Sequence, residues 1–165
     1  MLKRIIDFIL WLFGIKDDED IEKATTDIKY EKKPIMSDYE IMFYNRIKDL
    51  DLETEYNIVP QLVLSSVVDK KSKQKYRSEL YRIIDFAIFS KDYSKLLLLI
   101  ELNDNTHNQR KRKDRDLKVK KICNSAKIKL ITFYTKYPNE KDYIINRIKK
   151  EIETNESMNK ENDII

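Results

Sequence analysis

Residues 82–103 read RIIDFAIFSKDYSKLLLLIELN, and how this stretch folds decides the rest of the chain. Two short apolar runs, 82–89 and 96–102, flank the polar loop SKDYSK. A run of five aliphatic residues between polar loops has the length of a strand rather than of a helix, so the pair predicts a β-hairpin. Each run carries one acid, Asp85 in the first and Glu101 in the second. A carboxylate inside an apolar strand costs free energy unless something pairs it or uses it. With the loop centred on Asp92, Asp85 faces Leu99, and the period-two alternation puts Leu99, Glu101 and Asn103 on its face. Glu101 then lies diagonal to Asp85, about 7–8 Å away between backbones and closer at the side-chain tips. A slip of one residue would break that parity.

Outward from the hairpin the pattern alternates between periods. Ser37-Asp38-Tyr39-Glu40 has the capping-box form, in which the serine caps a helix and the glutamate reaches back to it. Tyr39, Met42, Phe43, Ile47 and Leu50 follow at helical spacing and predict one buried face. Residues 56–68 (YNIVPQLVLSSVV) are rich in β-branched side chains, and Pro60 pushes this strand to a sheet edge. Residues 110–126 read as a helix with Leu117, Ile122 and Ala126 facing inward, and Cys123 as a small core residue. Residues 128–134 (IKLITFY) read as a further strand. Pro138 and Asn139 open a last helix with Ile144, Ile148 and Ile152 as its apolar stripe. The order is α-β-β-β-α-β-α, an α/β (α+β) domain over 34–153 whose mixed sheet carries helices on its faces.

The ends differ in character. Residues 1–15 (MLKRIIDFILWLFGI) are largely apolar, but the unbroken run from Phe8 to Phe13 falls short of the about 20 residues that span a bilayer. KDDED follows where a signal peptide would place small residues. Trp11, Phe13 and the embedded Asp7 suit a helix lying on a membrane surface or docked on protein. Residues 16–33 read as a polar linker and 154–165 as a solvated polar tail. The expected location is the cytoplasm, with the inner face of the membrane as a partner surface for residues 1–15.

Composition narrows the chemistry. Of 165 residues one is glycine, one cysteine and one histidine. Gly14 alone cannot build a P-loop, a dinucleotide fingerprint or a nucleophile elbow. Cys123 alone excludes disulfide frameworks and cysteine-based zinc sites, and a lone histidine excludes multi-imidazole zinc. Carboxylates, lysines and a hard, oxygen-bound metal remain. The net charge of +4 hides an uneven distribution, because residues 110–121 (RKRKDRDLKVKK) carry a local +6 and the rest of the chain −2. Two convergent carboxylates suit Mg²⁺ or Mn²⁺, which keeps waters that a phosphate can replace. The adjoining basic segment, with Arg110, Arg112, Lys113, Arg115, Lys118 and Lys121, suits phosphate backbones, although a solvated helix face would read the same way. His107, in NDNTHNQ, fits a loop anchor as well as an acid, base or phosphate contact.

Taken in order, Ser37-x-x-Glu40, Asp85-Phe86, Ile100-Glu101-Leu102-Asn103-Asp104 with His107, and Arg115-Asp116 resemble an uncharacterised bacterial family. It is catalogued as domain of unknown function 2726 and is similar to the PD-(D/E)XK, or restriction-endonuclease-like, nucleases. Very-short-patch-repair-type endonucleases show a related order of strand, acid, His and Arg-Asp. The resemblance covers about residues 35–135 and implies an α-β-β-β-α-β core. It implies that Asp85 and Glu101 hold the metal, that Glu40 is a third acid, and that the activity is cleavage of DNA or, second, RNA. The superfamily commonly has a lysine two residues after the glutamate, where this chain has Asn103. In this superfamily the lysine sometimes comes from the following helix, which makes Lys118 the candidate, Lys121 its reserve and His107 a further catalytic group. The alternative is a nuclease-like module that binds nucleic acid without cutting it.

Overall fold

The computed structural model describes residues 29–48, 56–71, 78–103 and 109–162. The apolar segment 1–15, most of the linker, Leu50 and His107 lie outside the described residues. The chain divides into two units, Met1–Pro34 and Ile35–Ile165. In the second, helix α1 (Asp38–Ile47) leads into strand β1 (Tyr56–Val63) and two 3₁₀ turns, Leu64–Ser66 and Ser78–Leu80. Strands β2 (Ile83–Ser90) and β3 (Leu96–Asn103) follow, then helix α2 (Gln109–Ser125), strand β4 (Leu130–Tyr134) and helix α3 (Lys141–Asn162). No helix among the described residues is long and apolar enough to cross a membrane.

The four strands form one mixed sheet in the order β1-β2-β3-β4. The first three are antiparallel, and β4 returns parallel to β3 after the α2 crossover. Pro60 sits in β1 at the edge, where its missing N–H costs no ladder bond. On one face, Phe43 and Ile47 of α1 and Ile144, Ile148 and Ile152 of α3 cover Phe86, Ile88, Leu98 and Ile100. On the other, Val119 and Cys123 of α2 cover Ala87 and Leu99. Ser37 caps α1 in a complete capping box with Glu40.

Several expectations change in detail. The hairpin pairs Phe86 with Ile100 and Ala87 with Leu99, not Asp85 with Leu99. Its loop closes one step later than a centre on Asp92, with Phe89 opposite Leu96, and a bulge between Ile88 and Phe89 adds another step. The offset is two residues, so the parity of the two acids survives. Leu117 is 54% exposed and Ala126 is exposed, because α2 turns Val119 and Cys123 to the sheet instead. Met42 is also exposed, leaving Phe43 and Ile47 as the buried anchors of α1. The strand expected over 56–68 ends at Val63, and the one expected from 128 starts at Leu130. The expected polar tail is helical through Asn162, tied to the sheet where Asn155 Nδ2 donates to Leu97 O at 3.0 Å.

Candidate active site

The site lies where two strand pairings break. The β2–β3 ladder runs to Phe86–Ile100, and continuing it by one residue sets Asp85 across from Glu101. Beyond it the Leu102 amide donates to Asp85 Oδ2 at 2.6 Å rather than to a strand partner. On the other side of Asp85, the β1–β2 pairing skips Gln61, whose φ of 54° lies in the left-handed region. A non-glycine residue held there inside a strand is strained, and such strain persists only where the surroundings impose it. Gln61 uses the bend to donate Nε2 to Glu40 Oε1 at 2.8 Å.

Glu40 belongs to both structures. Its Oε2 accepts from the Ser37 amide at 2.5 Å and the Ser37 hydroxyl at 2.7 Å, which is the cap. Its Oε1 is left for Gln61. Burial pushes the Glu40 carboxyl up, but hydrogen bonds from Ser37, Gln61 and Asp85 together outweigh it and hold the carboxyl below its ordinary range. Asp85 behaves oppositely. Burial, and then the charge of Glu40 with which it shares a hydrogen bond, raise it from 3.8 to about 6 against the pull of the Leu102 amide and Arg115. A pocket of about 360 Å³ opens on this pair, lined also by Tyr39, Leu102 and Thr135.

Glu101 turns to the α2 side. Burial, and then the charges of Asp116 and Asp85, raise it from 4.5 to about 7, with Arg115 and Lys120 opposing. Its β3 neighbour Asn103 donates Nδ2 to Asp116 Oδ2 at 3.4 Å, and Arg115 Nε stands 3.7 Å from Asp116 Oδ1. Asn103 and the Arg115-Asp116 step therefore belong to one polar network beside Glu101. Cys123, fully buried, has its thiol pushed up to about 11 by burial and the Glu101 charge, so it is an inert core residue.

The structure thus brings Glu40, Asp85, Glu101, Asn103 and Arg115 to one region. Lys118 points elsewhere: with Lys121 it lines a separate pocket beside Glu79, whose carboxyl it helps to lower after the nearer Lys70. The side chains of Arg110, Arg112 and Lys113 lie outside the described residues, although their backbone is in α2. Two residues escaped the sequence reading. Lys120 of α2 is a cation whose charge opposes the rise of Glu101. Gln61 carried a faint signal as a lone amide after proline in an apolar strand. Among the described residues no three His, Cys, Asp or Glu side chains stand together as a ready metal cage. Two acids whose ionisation is made harder by burial and by neighbouring carboxylates nevertheless suit a small cation that takes one or two carboxylates and keeps its waters.

Fold and site together define a mixed α/β domain that gathers carboxylates where its sheet pairing breaks, beside a basic helix. The chain belongs to the family described as Protein of unknown function (DUF2726), which matches residues 32–154. No curated protein matches the chain, and no solved structure does.

Proposed function

We propose that this protein is a metal-dependent nuclease that cleaves phosphodiester bonds of DNA, with RNA as the second substrate. The observation that carries the reading is the convergence of Asp85 and Glu101, both raised toward neutrality by burial and like charge. Structural ion pairs lower carboxylate pKa values, whereas functional clusters commonly raise them. Asp85 and Glu101 would hold Mg²⁺ or Mn²⁺, with Glu40 as a third acid behind Asp85. The ion would polarise the scissile phosphate and lower the pKa of the attacking water.

The protein's own groups supply the rest. Arg115 and Lys120 set positive charge beside the two acids, where negative charge grows on the phosphorane oxygens. Gln61 and Ser37 fix the Glu40 carboxylate, which in turn orients Asp85. The basic face of α2 grips backbone phosphates. Asn103, whose amide is spent on Asp116, favours a second reading in which the domain binds nucleic acid without cutting it.

The test is cleavage of supercoiled and single-stranded DNA by the full chain in Mg²⁺, Mn²⁺ or EDTA, beside Asp85→Ala and Glu101→Ala. Metal-dependent cutting lost in both variants is expected. Cutting that survives in Asp85→Ala would trace the activity to a contaminant and end the reading. DNA binding without any cutting would leave the second reading standing.

A further inference from the structure

Three tyrosines, from the end of β4, the turn after it and the start of α3, gather on one surface. Tyr134, Tyr137 and Tyr143 are 37%, 55% and 53% exposed and line a pocket of about 390 Å³ together with Glu140 and Arg147. We propose that this pocket is a stacking subsite for an unpaired nucleobase, so that the substrate is single-stranded or locally opened nucleic acid. The proposal rests on the nuclease reading above and deepens it.

The rings are arranged to receive a flat partner. Tyr134 and Tyr137 stand edge to face, with planes at 88° and centroids 6.4 Å apart, forming a corner. Lys136 Nζ lies 4.9 Å from the Tyr137 centroid and 5.9 Å from that of Tyr134, and so brings a cation to the same corner. On the far wall Tyr143 meets Phe133 edge-on, and Arg147 covers the Phe133 ring at 4.7 Å while donating to Thr132 O at 3.2 Å. Aromatic faces bordered by lysine and arginine are what a base and its phosphates need. Glu140 at the rim offers an acceptor for the exocyclic amino group of a base, and its charge keeps a phosphate on the Lys136 and Arg147 sides.

The corner is preorganised. Asn139, only 4% exposed and with a left-handed φ of 47°, donates Nδ2 to Tyr134 O at 2.9 Å and to Tyr39 Oη at 3.2 Å. Arg46 Nη1 donates to the carbonyls of Pro138 and Asn139, both at 2.7 Å. A fixed loop loses little entropy on binding. Those same bonds reach the acids: Tyr39 lines the Asp85–Glu40 pocket, and Tyr134 pairs with Asn103 in the sheet. A base in the corner therefore delivers its neighbouring phosphate to the carboxylates. A base inside a duplex is stacked on both faces and has no free face to offer.

The experiment is fluorescence anisotropy with a labelled oligo-dT and a duplex of equal length, in EDTA, using the full chain. Wild type is expected to bind the single strand more tightly than the duplex. Tyr137→Ala and Tyr143→Ala should each weaken single-strand binding by about 5- to 150-fold and leave duplex binding unchanged. Tyr137→Phe should retain most of the affinity, which separates stacking from loss of the hydroxyl. Single-strand affinity unchanged in the double alanine variant overturns the subsite, as does wild type that binds only duplex or binds neither. Cleavage with tyrosine-independent binding leaves the nuclease reading and removes the subsite. Tyrosine-dependent binding without cleavage does the reverse.

Discussion

Glu101→Gln tests whether the acids are a functional cluster or a structural network, because the two give opposite signs in stability. Glu101 rises from 4.5 to about 7 in the folded protein, through burial first and the charges of Asp116 and Asp85 next. A carboxyl whose folded pKa lies above its unfolded value favours the folded state in its protonated form. That stability is fully present below the unfolded value of 4.5 and is lost as pH rises through about 7. At about 1.36 kcal/mol per pK unit the loss is roughly 3 kcal/mol, and solvent at the half-buried site reduces it to about 2. Glutamine keeps the shape and removes the ionisation. In EDTA at about pH 4 the variant should match wild type, and at about pH 8 it should be about 2 kcal/mol more stable. Urea denaturation across that pH range, followed by circular dichroism, reads the difference. Mg²⁺ should raise the midpoint of wild type and leave the variant unmoved. A stability difference that is flat with pH would show that the fold does not hold the Glu101 carboxyl above its unfolded pKa. A variant less stable at about pH 8 would show that Arg115 and Lys120 pair with Glu101 as a net stabilising salt bridge.

Three other outcomes follow from the geometry. Phe43, 1% exposed, packs against Phe86 and Phe133 at 5.5 and 5.1 Å between centroids, so Phe43→Ala should cost about 3–5 kcal/mol in chemical denaturation. Gln61→Gly frees the left-handed backbone at a cost in chain entropy of similar size, so stability should stay within about 1 kcal/mol. Cleavage should nevertheless fall about tenfold, as the charge-assisted bond to Glu40 is lost. Lys120→Met should lower kcat and move the pH–rate profile upward as Glu101 loses a neighbouring cation, whereas Lys118→Met should act on KM and its salt dependence.

The element order over residues 37–152 was legible because periodicity is a local property, and there each apolar run held one helix or strand, the 56–68 run ending in a 3₁₀ turn after β1. That Asp85 and Glu101 are neighbours across the hairpin was legible for a narrower reason, although the sequence set them diagonal rather than opposite. Parity survives any even offset, so the later loop closure and the bulge beside Ile88, one step each, moved the register by two without separating the acids. The orientation of α2 was not legible. With eight cations among 110–121, the helix has almost no apolar signal to phase it. The choice between Leu117 and Val119 rests on how the β3–β4 crossover lays the helix on Leu99 and Ala87. The same ambiguity hid that Lys118 lines a pocket beside Glu79 while Lys120 sets its charge toward Glu101. The tyrosine corner was hidden because Tyr134, Tyr137 and Tyr143 share neither a strand nor a helical period. The Asn139 turn, which brings them together, is a tertiary feature.

The kink at Gln61 explains why Asp85 meets Glu40 as well as Glu101. Strict alternation along IIDFAIF would put Ile84, Phe86 and Ile88 on one face. Phe86 and Ile88 do pack under α1 and α3, but Ile84 packs with Ala87 and Leu99 on the opposite side. Along β1, Ile58 and Leu62 divide between the two layers in the same way. The sheet therefore changes faces between residues 84 and 86 of one strand and around Gln61 of the other, and Asp85 is the residue at the crossing. A side chain on either regular face could reach Glu40 of α1 or the α2 side, but not both. At the crossing Asp85 feels Glu40 from one layer and Arg115 from the other, and its charge also raises Glu101. The strained Gln61 thus serves two ends: it bends the edge strand so that Asp85 joins the layers, and it fixes Glu40 to meet it. Restoring regular pairing there would leave Asp85 on the Glu101 face, with Ala87 and Leu99, and strand Glu40 alone on the other side of the sheet.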